Sequence, residues 1–260
     1  MSILESLILG IIQGLTEFLP VSSSGHLEIL SYFLGVQGEN NLAFTITVHG
    51  GTVLSTIIVF RKELAQLLRG FFKFKMNPET VFILKILVSL IPILIIGLTL
   101  KEQIEGLFGQ NLAFVGTMLI VTSILLWISY RKKPGTKDIS YKDAFIIGIA
   151  QAFAALPGLS RSGSTISTGL LLGNRREEVA PFSFLMVLIP IIGMNLLDIV
   201  SGDFSSSESI GSTPLICGFL SSFITGTFAC KWMINIVKRG KLIWFSLYCF
   251  LLGLGVILFA

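Results

Sequence analysis

Apolar residues run along this chain in stretches of about 20, a length that crosses ~30 Å of hydrocarbon as one helix. Residues 41–60, 81–100, 111–130, 181–200, 214–233 and 242–260 each predict such a crossing. Two other apolar stretches are broken. Residues 2–18 run into Pro20, Ser22, Ser23, Ser24, Gly25 and His26, so the helix they predict stops near Leu19. Residues 22–35 predict a second short helix with a serine at its N-cap. Residues 143–156, the break PGLSRSGS and residues 165–173 repeat the arrangement. No member of either pair is long enough to span, and irregular backbone at membrane depth is tolerated only inside protein or beside a wet cavity. Each pair therefore predicts a re-entrant helical hairpin, about 2–35 and about 143–173.

The two broken stretches match each other. Without a gap, Ile8, Gly10, Ile11, Gln13, Ser22, Ser24, Gly25, Leu34 and Gly35 fall on Ile146, Gly148, Ile149, Gln151, Ser160, Ser162, Gly163, Leu172 and Gly173, each pair 138 residues apart. Apolar composition accounts for some Ile and Leu matches. The Gly, Gln and Ser matches at turn positions are harder to obtain by chance. An odd number of crossings separates the hairpins, so the halves face opposite ways. The expected fold is an all-α integral membrane protein, one membrane domain over 1–260. It has six transmembrane helices and two re-entrant hairpins in an inverted-topology repeat (pseudo-repeats 1–130 and 139–260), with its site where the broken helices meet.

Composition and charge agree with that layout. The chain is 53% hydrophobic and 13% charged, beyond the range of soluble domains. Its N-terminus lacks a basic region and carries Glu5, which argues against a cleavable signal peptide. The net charge of +4 resides at helix ends, where it reads as cytoplasmic anchoring and not as a nucleic-acid surface. Loops 61–80, 131–142, 174–178 and 238–241 are basic or carry paired bases, and loops 35–41, 101–111 and 201–213 are not. Six crossings and two hairpins put every basic loop on one side. The first hairpin then enters from outside, and both termini lie outside. Cys217, Cys230 and Cys249 lie in apolar segments without a CxxC spacing and read as small buried hydrophobes.

The hairpins differ where chemistry would differ: Glu17 falls on Ala155, Ser23 on Arg161, and His26 on Ser164. Together they read as one composite site for a phosphorylated lipid. A guanidinium inside an apolar hairpin needs an anion. For Arg161 that is a phosphate, gripped with help from Ser160, Ser162, Ser164 and Thr165, or a carboxylate, Glu17 or Asp198. Glu17 has three roles open to it: general base, metal ligand or counter-ion. Gln13 shares its helix face, so both could hold one cation through oxygen. Ser22, Ser23, Ser24 and His26 beside an acid fit a nucleophile with a proton carrier; the bland alternative is a set of satisfied capping residues. His49, in VHGGT, either lines the same cavity or packs at a small-residue helix contact. SSSGH partly matches the PSGH element of PAP2-class lipid phosphatases. That class also needs a Lys-x6-Arg-Pro element and an Arg…His…Asp element; neither is present, and His26 and His49 are the only histidines.

QGLTEFLPVSSSGHL resembles the [E/Q]GxTEFLPVSSxGH motif of the undecaprenyl-diphosphatase family, the BacA/UppP type, and PGLSRSGST matches that family's PGxSRSxxT motif. The resemblance implies paired re-entrant hairpins, a plasma-membrane location with a site opening to the extracytoplasmic face, and removal of the terminal phosphate from undecaprenyl diphosphate. That reaction recycles the carrier lipid for envelope glycan synthesis and gives bacitracin resistance. It implies a divalent cation, Mg²⁺ or Ca²⁺. It assigns acids to Gln13 and Glu17, the candidate nucleophile to Ser23, the histidine to His26, and phosphate binding to Ser160, Arg161 and Thr165, with Ser22, Ser24 and Ser162 beside them. Many members carry Glu where this chain has Gln13, which keeps the oxygen ligand but loses a charge. The expected partners are the membrane and a polyprenyl diphosphate, with a homodimer left open. A transporter or flippase for a lipid phosphate is the competing expectation, because inverted repeats with broken helices are common there.

Overall fold

A computed structural model describes residues 1–34, 40–108, 111–200 and 211–259. In order, the helices are α1 (Ile3–Phe18), α2 (Ser23–Leu34), α3 (Asn40–Val59), α4 (Arg61–Phe71), α5 (Pro78–Thr99), α6 (Lys101–Glu105), α7 (Leu112–Arg131), α8 (Tyr141–Phe153), α9 (Arg161–Leu171), α10 (Arg176–Val200), α11 (Ser212–Arg239) and α12 (Ile243–Phe259). Among the described residues four helices, α5, α7, α10 and α11, are long and apolar enough to cross a membrane; α3 and α4, bent by 74°, would make a fifth if taken as one span. The apolar helix α12 is shorter. Most of the polar loops expected at 35–41 and 201–213 lie outside the described residues.

The first break falls where the sequence puts it; the second lies three to four residues earlier than expected, because Ser160 caps a helix that starts inside the PGLSRSGS stretch. α1 ends at Phe18 before Pro20, and α2 starts at Ser23; α8 ends at Phe153, and α9 starts at Arg161 with Ser160 as N-cap. The caps match: Ser22 Oγ accepts the Gly25 N–H at 3.2 Å, and Ser160 Oγ accepts the Gly163 N–H at 3.0 Å. The turns differ. The first passes through Ser22 at φ 69°, a left-handed conformation that costs a non-glycine residue about 1–2 kcal/mol. The second uses Gly158 at φ 87°, where a Cβ would also lie 2.5 Å from the Val115 carbonyl of α7.

Packing exchanges the halves. α1 lies along α11 and α8 along α5; α3 also packs on α11 and α10 on α5. Small residues make the first two contacts close. A Cβ on Gly14 would stand 2.5 Å from the Ser222 carbonyl of α11, and one on Gly148 would stand 2.2 Å from the Ser89 carbonyl of α5. The helices α7 and α12 pair with each other, and Ser123 Oγ donates to the Ser246 carbonyl at 2.7 Å between them. The main core is apolar and includes Phe18, Leu126, Ile147, Ile166, Phe182 and Met233.

Residues 61–71, read above as part of a basic loop, form the helix α4. Leu64 and Leu67 recur at helical spacing and pack against the core, while Arg61, Lys62 and Arg69 stay outward or at the rim. The spacing is amphipathic, and the charge count obscured it. Elsewhere the basic loops meet. Lys137 N–H donates to the Gly173 carbonyl at 3.4 Å and Arg175 N–H to the Lys137 carbonyl at 3.0 Å, so loops 131–142 and 174–178 are clasped together. The Gly240 backbone lies against the Arg176 guanidinium, which brings loop 238–241 to the same place.

Candidate active site

Glu17 sits at the last turn of α1, where the chain breaks, and its side chain is only 8% exposed. A carboxylate this buried needs partners. Ser23 Oγ, at the first residue of α2, donates to Oε2 at 2.6 Å, and Gln13 Nε2, one turn back on α1, donates to the same oxygen at 2.9 Å. Arg161 Nη2, from the first residue of α9, donates to Oε1 at 3.0 Å. His49 on α3 brings Nε2 to 3.7 Å of Oε2, while its Nδ1–H donates to the Thr45 carbonyl at 2.8 Å. Three hydrogen bonds and an imidazole from four helices thus converge on one carboxylate. Ser23 faces it because the left-handed turn at Ser22 swings the start of α2 back over the end of α1.

Beside the Glu17–Arg161 pair lies a cavity of about 20 Å³. Its polar wall holds Thr52, Thr56, Gln151, Thr165 and Ser183; its apolar wall holds Phe18, Val53, Phe184, Val187, Leu188 and Ile191. A serine hydroxyl donating to a buried carboxylate, a guanidinium on the same carboxylate and an apolar wall leading away are parts that phosphoryl transfer from an amphiphile can use.

The family model for bacitracin resistance protein BacA matches residues 6–255. The chain belongs to the BacA family. It is 57% identical to the undecaprenyl-diphosphatase of Bacteroides thetaiotaomicron, with 99% of each chain covered. It is 51% identical to that of Christiangramia forsetii, over 100% of this chain and 99% of the relative. It is 38% identical to that of Korarchaeum cryptofilum, over 99% of both.

Of the BacA motif residues, Gln13, Glu17, Ser23 and Arg161 come together directly. His26 does not join them. Its Nδ1–H donates to the Ser22 carbonyl at 2.7 Å, so in the neutral ring Nε2 accepts from the Tyr248 hydroxyl of α12, also at 2.7 Å. The Tyr248 ring stacks on it at 5.6 Å. Ser22 and Ser160 cap their helices. Ser24 pairs with Ser22 at 3.3 Å, and Ser162 Oγ donates across the hairpins to the Leu19 carbonyl at 3.0 Å. Thr165 Oγ1 donates to the Arg161 carbonyl at 2.8 Å and meets the Ser183 hydroxyl. Ser164 Oγ is buried without a partner among the described residues. Sequence reasoning passed over Gln151, Thr52, Thr56, Ser183 and Tyr248. Only Gln151 carried a signal, its match to Gln13; the others sit as single polar residues in ordinary apolar helices.

The cation expectation fits these residues in a limited way. Gln13 turns its Nε2 to the Glu17 carboxylate, and its Oε1 is buried without a partner among the described residues; with the amide turned over, Oε1 and the carboxylate would make an oxygen pair for Mg²⁺ or Ca²⁺. Among the described residues no three His, Cys, Asp or Glu side chains cluster as a full ligand set. The pair therefore fits an ion that takes its remaining ligands from phosphate oxygens and water.

Proposed function

We propose that this BacA-family protein hydrolyses the terminal phosphate of undecaprenyl diphosphate, or a related polyprenyl diphosphate, to the monophosphate carrier lipid. Its relatives carry the name of that activity over nearly the whole chain. The observation that carries the site assignment is Ser23 Oγ hydrogen-bonded to the Arg161-paired Glu17 carboxylate.

In this mechanism Ser23 Oγ attacks the terminal phosphorus while the bond from phosphorus to the bridging oxygen breaks. Glu17 takes the Ser23 proton through the 2.6 Å hydrogen bond and delivers it to the departing monophosphate. Arg161 uses one N–H on Glu17; a guanidinium has five, and the rest grip the phosphate as charge builds. Water then attacks the phosphoserine, Glu17 accepts its proton and returns one to Ser23 Oγ, and orthophosphate leaves with the water's oxygen. Glu17 and Gln13 Oε1 would hold a divalent cation, Mg²⁺ or Ca²⁺, which would supply positive charge to the diphosphate. His26 acts from outside this set: through the Ser22 carbonyl it holds the turn that aims Ser23. The prenyl chain leaves along the apolar wall of Val53, Val187, Leu188 and Ile191, between α3 and α10.

The same reading takes α1–α2 and α8–α9 as re-entrant hairpins of an inverted repeat, with six crossings and the site open to the extracytoplasmic face. The matched caps, the exchange of packing partners between halves and the gathering of three basic loops support it. The deciding experiment is phosphate release from a polyprenyl diphosphate by purified protein in detergent. Without a gradient a phosphatase turns over, and a transporter or flippase releases nothing. Acid-quench trapping of phosphoserine at Ser23, absent in Ser23→Ala, tests the nucleophile. Labelling of single cysteines placed in loops 101–108 and 131–142 by an impermeant reagent tests the sidedness.

A further inference from the structure

Gln151 is 1% exposed, and neither its Nε2 nor its Oε1 has a hydrogen-bond partner among the described residues. The repeat explains why. Its counterpart Gln13 donates to Glu17 four residues on, whereas the residue four beyond Gln151 is Ala155. An amide left unpaired in a core costs about 1–3 kcal/mol for each group, unless something binds it. It lines the cavity that Glu17 and Arg161 also bound.

We propose that Gln151 holds, in this cavity, the water molecule that accepts the phosphoryl group. The cavity's ≈ 20 Å³ admits a water. The surrounding groups suit water. Thr52 Oγ1 donates to the His49 carbonyl and Thr56 Oγ1 to the Thr52 carbonyl, which leaves their lone pairs to accept, while Gln151 can both donate and accept. The proposed cation pair is not part of it: Gln13 is not among the lining residues, and the Arg161 guanidinium shares this wall. Ser23 and His49 are not among the lining residues, so the water has its own compartment, which shares Glu17 and Arg161 with the nucleophile side. In the hydrolytic step the water oxygen bonds to phosphorus, the bond from phosphorus to its leaving oxygen breaks, and the water's proton passes to Glu17. The proposal rests on the phosphatase reading of the Glu17 site but holds whether phosphorus is on Ser23 or still on the lipid.

The test is partitioning between water and methanol. Gln151→Met keeps the volume and removes both polar ends. The variant melts at or above the wild-type temperature in detergent, loses at least tenfold in kcat with KM within twofold, and in methanol raises the ratio of methyl phosphate to orthophosphate at least threefold. An unchanged kcat overturns the proposal. So does a lowered kcat with the wild-type product ratio, because a merely structural role slows both acceptors alike. If Gln151→Met is not recovered folded, Gln151→Ala is judged by the same criteria. Failure of the phosphatase reading looks different: wild-type protein then releases no phosphate at all.

Discussion

Arg161 and Glu17, 144 residues apart in the chain, meet at 3.0 Å between Nη2 and Oε1 and join the tips of the two broken helix pairs. Glu17 is nearly enclosed, while the Arg161 side chain remains 29% exposed. The carboxylate therefore depends on the pair more than the guanidinium does. The two neutralise each other, and the guanidinium has further donors for substrate.

Arg161→Ala strands the Glu17 charge. The expected loss is about 2–3 kcal/mol of stability, less than for a fully buried pair because Arg161 is partly solvated. Glu17→Gln on top of Arg161→Ala recovers at least half of it, since no charge is left unpaired. Denaturant unfolding in detergent measures both. Phosphate release falls by about 10³-fold or more in each variant, the scale of losing a transition-state charge partner.

Tyr248→Phe removes one hydrogen bond from His26 and keeps the stacked ring. The cost is about 1 kcal/mol in stability, and turnover drops less than tenfold. His26→Ala also frees the Ser22 carbonyl and loosens the turn, and its activity falls far more. Equal, large losses of activity in both variants, with folding intact, would instead put Tyr248 and His26 at the reacting atoms.

Gly14→Ala and Gly148→Ala each drive a methyl group into the backbone of a neighbouring helix. Each lowers stability by about 2 kcal/mol or more as α1 separates from α11 or α8 from α5. Gly97→Ala is the control. Nothing lies within 4 Å of its Cβ position, and the better helix former leaves stability unchanged or up to about 1 kcal/mol higher. Thermal melting of the three variants side by side reads the difference.

Gln13→Glu adds a charge to the oxygen pair proposed to hold the cation. The Mg²⁺ or Ca²⁺ concentration for half-maximal activity falls at least fivefold, and chelator inhibition needs a correspondingly higher dose. Without added cation the variant is slower than the parent, because two carboxylates then crowd one site. An unchanged cation requirement would remove Gln13 from that role.

Read alone, the sequence determines the all-helical membrane character, the two broken helix pairs, a serine cap at the start of α2, and the need of Arg161 for an anion. These are legible because each rests on local chemistry: apolar runs of spanning length, Pro20 and Pro157 as breakers, Ser side chains that satisfy helix N–H groups, and charges that cannot be buried alone. The 138-residue match even aligned Gln13 with Gln151. Only the tertiary structure decided what these residues face. It put Ser23, and not His26, on Glu17, because a left-handed Ser22 rotates α2 so that its first residue turns inward while the imidazole turns toward α12. It brought His49 to Glu17 and left Gln151 without a partner among the described residues. Those outcomes depend on which helices from distant parts of the chain come together, and local sequence does not encode that.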